Sequence, residues 1–438
     1  MNAVSTKKMP KEQRIAIQDV KRTTHIPGAA YHPAWVALAK GVLACALTGH
    51  TSLTLAAAAS GPAVIDAGPV AITPTLGTEI KYRTNIYLQE NNEVSSWIYL
   101  LKPAITARMQ DRENLYQLGY KGEASWYTED SRGDDNGYFD NTFTGDAHML
   151  LSERWTADAY VSWADLHEDR GTGLSEGIIG EVLPEPIQYE QTDVGGSLLY
   201  GSGGEAGRLK FDAGYMERRY QNFRELTRSR DRDETNLGAT FFYPVAPKTD
   251  VLLEYTYSDI SYPNPFDEVA LLDSQENSLQ VGATWEITEN MTSRAQAGYI
   301  DKRFDDPNRT DWDGLGWMLE LRMQPRDQDT ITINGRRSPE ETTLQGDFIL
   351  RETLMASWNH DWADRFYTTL SGSAGRDKYR ESINDRDDYI YNISLRADYR
   401  FRRWANLYAG YSWDEKDSNV NNLSYTDNTF RLGVDLSL

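Results

Sequence analysis

Few side chains in this chain could do covalent chemistry. Its 438 residues include one Cys and six His. Cys45, His25, His32 and His50 all fall within the first 59 residues, which leaves His148, His167 and His360. A Ser–His nucleophile needs one of these beside an activated serine. His167, in the acidic stretch His-Glu-Asp-Arg, is the best candidate, and its plainer reading is a solvated loop histidine. There is no nucleophile elbow, no H-E-x-x-H and no phosphate loop. We therefore expect no catalytic residues, no cofactor and no metal. What recurs instead is charge at mid-segment: Glu254, Arg294, Glu320, Arg322, Arg351, Arg396, Asp398 and Arg431. Their chemistry is that of hydrogen bonding and ion pairing toward a hydrated solute, the kind that sets selectivity in a pore.

The elements that carry these charges alternate with period two. In 389–402, Tyr389, Tyr391, Ile393, Leu395, Ala397, Tyr399 and Phe401 fall on one face. Asn392, Ser394, Arg396, Asp398, Arg400 and Arg402 fall on the other. Successive side chains of a strand point to opposite sides, so this is a two-faced strand. The same pattern recurs in 278–287 and 430–438, and around 97–109, 209–215, 251–257, 315–323 and 407–413. Several of these strands exceed ten residues, whereas globular strands average about five or six and membrane strands need about nine to eleven.

Short polar turns fall near Asp111, Arg154, Gly204, Pro247, Glu289, Asp327, Trp362 and Arg403. Longer loops rich in Asp, Asn, Gly and Arg lie between them, among them 129–137, 167–186, 220–232, 259–275, 304–311 and 379–387. Eight turns joining hairpins, plus a first and a last strand, predict about eighteen strands. The fold class expected is all-β: a transmembrane up-and-down antiparallel β-barrel. Short turns on one side and long loops on the other is the outer-membrane layout, and an even count puts both termini in the periplasm. Such a sheet must close to satisfy its backbone in lipid. Trp285, Trp317, Trp358, Tyr399 and Trp413 near strand ends are candidates for aromatic girdles at the membrane interfaces. The mid-segment charges would then line the lumen.

Composition fits this reading. Mean hydropathy is −0.62, with 26 Tyr and 12 Trp against 12 Phe. A barrel averages a lipid face with a wet one, so its hydropathy can look soluble. Residues 1–40 are basic, 41–55 are mostly apolar, and Ala56–Ala59 precede Ser60, which reads as a long n-region and signal peptide over 1–59. A short periplasmic lead-in over 60–75 and a barrel over 76–438 would follow. The whole chain carries −21. Removing the leader's seven basic and two acidic residues leaves −26, which argues against a nucleic-acid partner. The expected location is the outer membrane of a Gram-negative bacterium, with outer-membrane lipid, lipopolysaccharide and the barrel-assembly machinery as partners.

The opening segment ITPTLGTEIKYRTNIYLQENNEVSSWIYLLKPAITAR at 72–108 resembles the β-barrel porin 2 family of outer-membrane proteins. The features that carry the likeness are Pro74 to Leu76, Asn85 to Tyr87 and Pro103 to Ile105. Segments 252–262, 278–288 and 399–413 also resemble family hairpins. Leu438 departs from the terminal aromatic usual in barrel assembly signals. The resemblance implies help in moving an exopolysaccharide or capsular polymer across the outer membrane, with a periplasmic polysaccharide-export protein as partner. It implies no catalytic or binding residues. A general or small-solute porin shares every physical feature above, and an outer-membrane enzyme ranks below both.

Overall fold

The structure is a computed structural model, and it describes residues 64–129, 135–177, 180, 183–201, 207–266, 271–288, 290–342, 345–382 and 384–437. The expected signal peptide over 1–59, with Cys45, and the terminal Leu438 lie outside the described residues.

Period-two segments become strands because alternation lets one face meet an apolar medium while the other stays polar. In chain order the strands are β1 (Ile65–Ala67), β2 (Val70–Arg83), β3 (Ser96–Asp111), β4 (Asn114–Tyr127), β5 (Tyr138–Ser152), β6 (Trp155–Glu168), β7 (Ile187–Tyr200), β8 (Arg208–Tyr220), β9 (Arg232–Ala246) and β10 (Thr249–Ser261). There follow β11 (Ser274–Thr288), β12 (Met291–Phe304), β13 (Trp312–Arg326), β14 (Asp329–Glu341), β15 (Phe348–Ala363), β16 (Phe366–Arg380), β17 (Asp387–Arg402), β18 (Ala405–Ser418) and β19 (Tyr425–Ser437). Among the described residues, helical turns lie in loops, as at Gly173–Ser175, Arg224–Thr227 and Arg228–Arg230.

From β2 onward every strand pairs antiparallel with its sequence neighbours, and β19 returns to β2 with Thr429 opposite Arg83 and Ser437 opposite Thr75. Eighteen strands thus form a closed barrel. β1 adds a small hairpin onto the start of β2, with Ile65 opposite Ile72. β2 itself begins at Val70, so the wall already includes residues expected in the lead-in. All eight short connections lie at one end, together with the first strand's start and the last strand's end. The turns near Asp111, Arg154, Pro247, Asp327, Trp362 and Arg403 fall at this end, while those expected at Gly204 and Glu289 lie outside the described residues, between strands whose described ends fall there. Nine longer connections lie at the other.

The opening motif has a structural reason. Pro74 sits opposite Ile105, and Leu76 opposite Pro103, across the β2–β3 ladder. The β3–β4 ladder breaks between Leu101 and Ala104, where Pro103 has no N–H to give. Asn85 is fully buried. Its side-chain amide donates to the Gln89 and Thr426 carbonyls, and its backbone N–H donates to Asp427. The motif therefore staples the first long loop onto the closing strand.

Candidate functional site

Residues directly opposite each other in an antiparallel ladder share a face. On β10, Leu253 and Tyr255 are exposed on the outer face, while Leu252 is wholly buried and Glu254 points inward beside it. The register carries that assignment around the ring. It places Glu254, Arg294, Glu320, Arg322, Arg351, Arg396, Asp398 and Arg431 all on the inner face.

The structure brings several of these together. Arg294 donates to Glu254 at 2.7 Å, and Gln296 bridges Glu254 and Gln280 at 2.9 Å each. Arg396 grips Asp398 through two hydrogen bonds of 2.9 and 2.8 Å, and its guanidinium lies 3.6 Å from the Tyr408 ring centroid. Arg351 is bidentate to Asp377 at 2.7 and 2.5 Å. Arg431 donates to Ser412 at 3.2 Å. Glu320 faces Arg294 in register, and Arg322 faces Thr332. Sequence reasoning missed Asp377, Tyr408 and the Arg83–Asp427 pair at 2.8 Å. Inward parity alone was the available signal for each.

The loop between β6 and β7 does not stay at the rim. Its root is held by a buried cluster of Leu174, Leu183, Ile187, Tyr189 and Tyr220. Gly171 has φ +77, and a Cβ there would meet the Tyr87 carbonyl oxygen at 2.2 Å, so the approach to the first loop requires glycine. Further along, Glu176 accepts hydrogen bonds from Arg386 at 2.9 and 3.0 Å and from Lys416 at 2.7 Å. Arg386 and Lys416 belong to the β16–β17 loop and β18, which lie well around the ring from β6 and β7. The loop therefore crosses the lumen and narrows it.

The loop's anions are held charged. Burial would raise the Glu176 carboxyl, but Lys416 and Arg386 outweigh it and hold the group below the usual carboxylate range. Burial likewise opposes ionisation of Asp169, yet His167, Arg83 and Lys81 hold it well below that range. A cavity of about 330 Å³ lies between loop and wall, bordered by Arg83, Asp169, Glu176, Arg218 and Arg351, with the rings of Tyr138, Tyr220 and Tyr425 among them. A second cavity of about 100 Å³ adjoins Lys210, Glu254, Arg294 and Arg336. Guanidinium–carboxylate pairs beside phenol rings can hydrogen-bond hydroxyls and stack on apolar ring faces.

Each of the three histidines pairs with an aspartate. His167 is not a solvated loop residue, because β6 runs on to Glu168. Its Nδ1 is 2.9 Å from Asp140, its Nε2 is 3.4 Å from Asp169, and its ring stacks on Tyr138 at 3.5 Å. His148 pairs with Asp158 at 2.7 Å, and Ser197 donates to the same carboxylate at 3.3 Å. His360 pairs with Asp329 at 2.6 Å.

On the outer face, Trp285, Trp358 and Tyr399 lie toward the short-turn end, while Trp317 and Trp413 lie toward the long loops. Other exposed aromatics follow suit: Tyr243, Trp362 and Phe401 at the first end, and Trp97, Trp126 and Tyr391 at the second. Tyr391 and Phe401 are ten residues apart on β17. That is ~33 Å along a strand at ~3.3 Å per residue. A ~40° tilt makes it ~25 Å along the axis, the height of an outer-membrane apolar band.

Among solved structures, the outer-membrane protein OpdK of Pseudomonas aeruginosa aligns at 10% identity and TM-score 0.46, over 84% of this chain and 99% of that one. OccAB3 of Acinetobacter baumannii aligns at 10% identity and TM-score 0.43 over the same shares. The FrpB iron transporter of Neisseria meningitidis aligns at 8% identity and TM-score 0.44, over 84% of this chain and 82% of that one. No curated protein matches the chain. The family described as "Putative beta-barrel porin 2" matches residues 58–438, the whole of the barrel, and the chain belongs to that family of outer-membrane porins.

Proposed function

We propose that this barrel is a channel that helps an exopolysaccharide or capsular polymer cross the outer membrane of a Gram-negative bacterium. The short turns and both termini face the periplasm, where a polysaccharide-export protein would hand over the chain. The observation that carries the reading is the loop pinned across the lumen by Glu176, Arg386 and Lys416. A polymer exporter must stay narrow at rest, since a permanent passage wide enough for a hydrated sugar chain would leak small solutes. The charged pairs and tyrosine rings around the 330 Å³ cavity support a hydroxyl-rich cargo.

Deleting the gene should abolish surface polymer while leaving its synthesis intact. Unchanged surface polymer in the deletion strain counts against export. The second reading is a small-solute porin, favoured by the family's description. Planar-bilayer recordings separate the two: a low, gated resting conductance supports export, and a large steady conductance supports the plain porin.

A further inference from the structure

The outer wall carries a cluster of cations where a lipid-facing surface should be apolar. Strand register puts Trp317, Arg337, Glu352, Arg376 and Tyr389 in one outward row across β13–β17. One step toward the long loops, Leu350 lies opposite Lys378, and one step further Phe348 lies opposite Arg380. Of these, Arg337, Leu350, Glu352, Arg376, Lys378 and Arg380 line a cavity of about 210 Å³ together with Trp312. Arg376 is paired with Asp387 at 2.5 Å and lies 5.4 Å from the Tyr389 ring centroid. Among the described residues, no ion pair is found for Arg337 or Arg380, while Lys378 lies opposite Asp387 and shares that carboxylate with Arg376. Four cations against Glu352 and Asp387 leave a net +2 patch on a chain of net −21.

Immediately toward the short-turn end, the same strands turn apolar. Leu354, Ala356, Ala374, Tyr391 and Ile393 face outward there, and Leu354 and Ile393 are about half exposed. The cations thus sit at the edge of the apolar band, at headgroup depth, with an acyl-chain surface directly below. Uncompensated cations at that depth are costly without an anionic partner, and guanidinium groups match phosphate oxygens in bidentate geometry.

We propose that this patch is a binding site for the phosphorylated glucosamine headgroup of lipid A, with an acyl chain lying along Leu354 and Ile393. The choice of lipid A rests on the orientation in which the long loops face outward, because that leaflet carries phosphorylated glycolipid. Two phosphates on one headgroup suit several separate cations better than the single phosphate of a glycerophospholipid. Trp317 and Tyr389 would flank the sugar at the interface.

The test uses the full barrel in nanodiscs, with native mass spectrometry as readout and three probes: bis-phosphorylated lipid A, its dephosphorylated form and phosphatidylglycerol. Bis-phosphorylated lipid A should bind at least tenfold better than either other probe. The triple variant R337Q/K378Q/R380Q should lose that preference, with folding checked by heat-modifiable gel mobility. E352Q, which removes the patch's central negative charge, should bind several-fold tighter and serves should the triple variant fail to fold. Equal binding of the dephosphorylated form, or unchanged affinity in E352Q, overturns the site. A preference for phosphatidylglycerol overturns the lipid A assignment and reverses the orientation. Polymer export is scored separately in cells carrying E352Q, so a failure of the channel reading remains distinct from a failure of this site.

Discussion

Arg386, on the β16–β17 loop, donates at 2.9 Å to Glu176, 210 residues earlier on the β6–β7 loop. The guanidinium is 2% exposed and also chelates Asp388 at 2.5 Å. One side chain therefore ties the inward loop to the barrel wall, and Lys416 adds a second tie at 2.7 Å.

Glu176→Gln removes the charge from both ties while keeping the shape. A partly buried charge pair broken on one side costs about 3–5 kcal/mol. The loop should then leave its seat, and mean single-channel conductance should rise severalfold in planar bilayers. A conductance equal to the wild type would mean the loop is held by its apolar root alone.

Acid should release the same loop. Glu176 titrates below the ordinary carboxylate range because Lys416 and Arg386 outweigh its burial. A depressed carboxyl contributes stability that is present above its unfolded value and is lost as pH falls through its folded value. Loop seating should thus hold from neutrality down to about pH 4.5 and weaken below it. Conductance recorded against pH should climb only in that acid window, and the climb should vanish in Glu176→Gln.

Arg294→Gln strands Glu254 on the inner wall. The pair's side chains are only 7% and 16% exposed, so removing the cation should cost about 3 kcal/mol. The midpoint of urea unfolding, followed by heat-modifiable mobility, should fall, and the pore should become more cation-selective. The double variant with Glu254→Gln should recover most of the loss in stability.

Gly298 lies where β11 and β12 come close, and an added Cβ would sit 2.0 Å from the Leu279 carbonyl oxygen. Since that neighbour is backbone, the ladder itself must shift. Gly298→Ala should destabilise the barrel by about 1–3 kcal/mol, read as a smaller folded fraction at a fixed urea concentration. An unchanged fraction would show that the two strands can part locally without loss.

Much of the fold was legible because a strand's alternation and its turn residues are local properties. The segment 389–402 declares both of its faces, and Pro247 and Arg403 mark turns on their own. The inner-wall charges could be read by parity, but their partners could not. Glu254 meets Arg294 from two strands away, which depends on strand tilt and stagger that no single segment encodes. The inward path of the β6–β7 loop was hidden for a related reason. Its acidic residues suggested solvent exposure, whereas Asp169 and Glu176 face cations supplied by β2, the β16–β17 loop and β18. His167 was misjudged on the same ground, since acidic neighbours signal water only when no ring or cation waits opposite.

The seam between β2 and β19 sets a condition on how the molecule is made. Arg83 cannot find Thr429 until nearly the whole polypeptide has been delivered. Non-local pairing of this kind is slow, because the intervening chain must be ordered before the contact repays it. Until then the sheet has two open edges, each a row of unpaired donors and acceptors ready to join another chain. A chain cut short before β19 would keep those edges for good. Closure of the sheet therefore rests on the last thirteen residues of strand, whose pairing removes both edges at once.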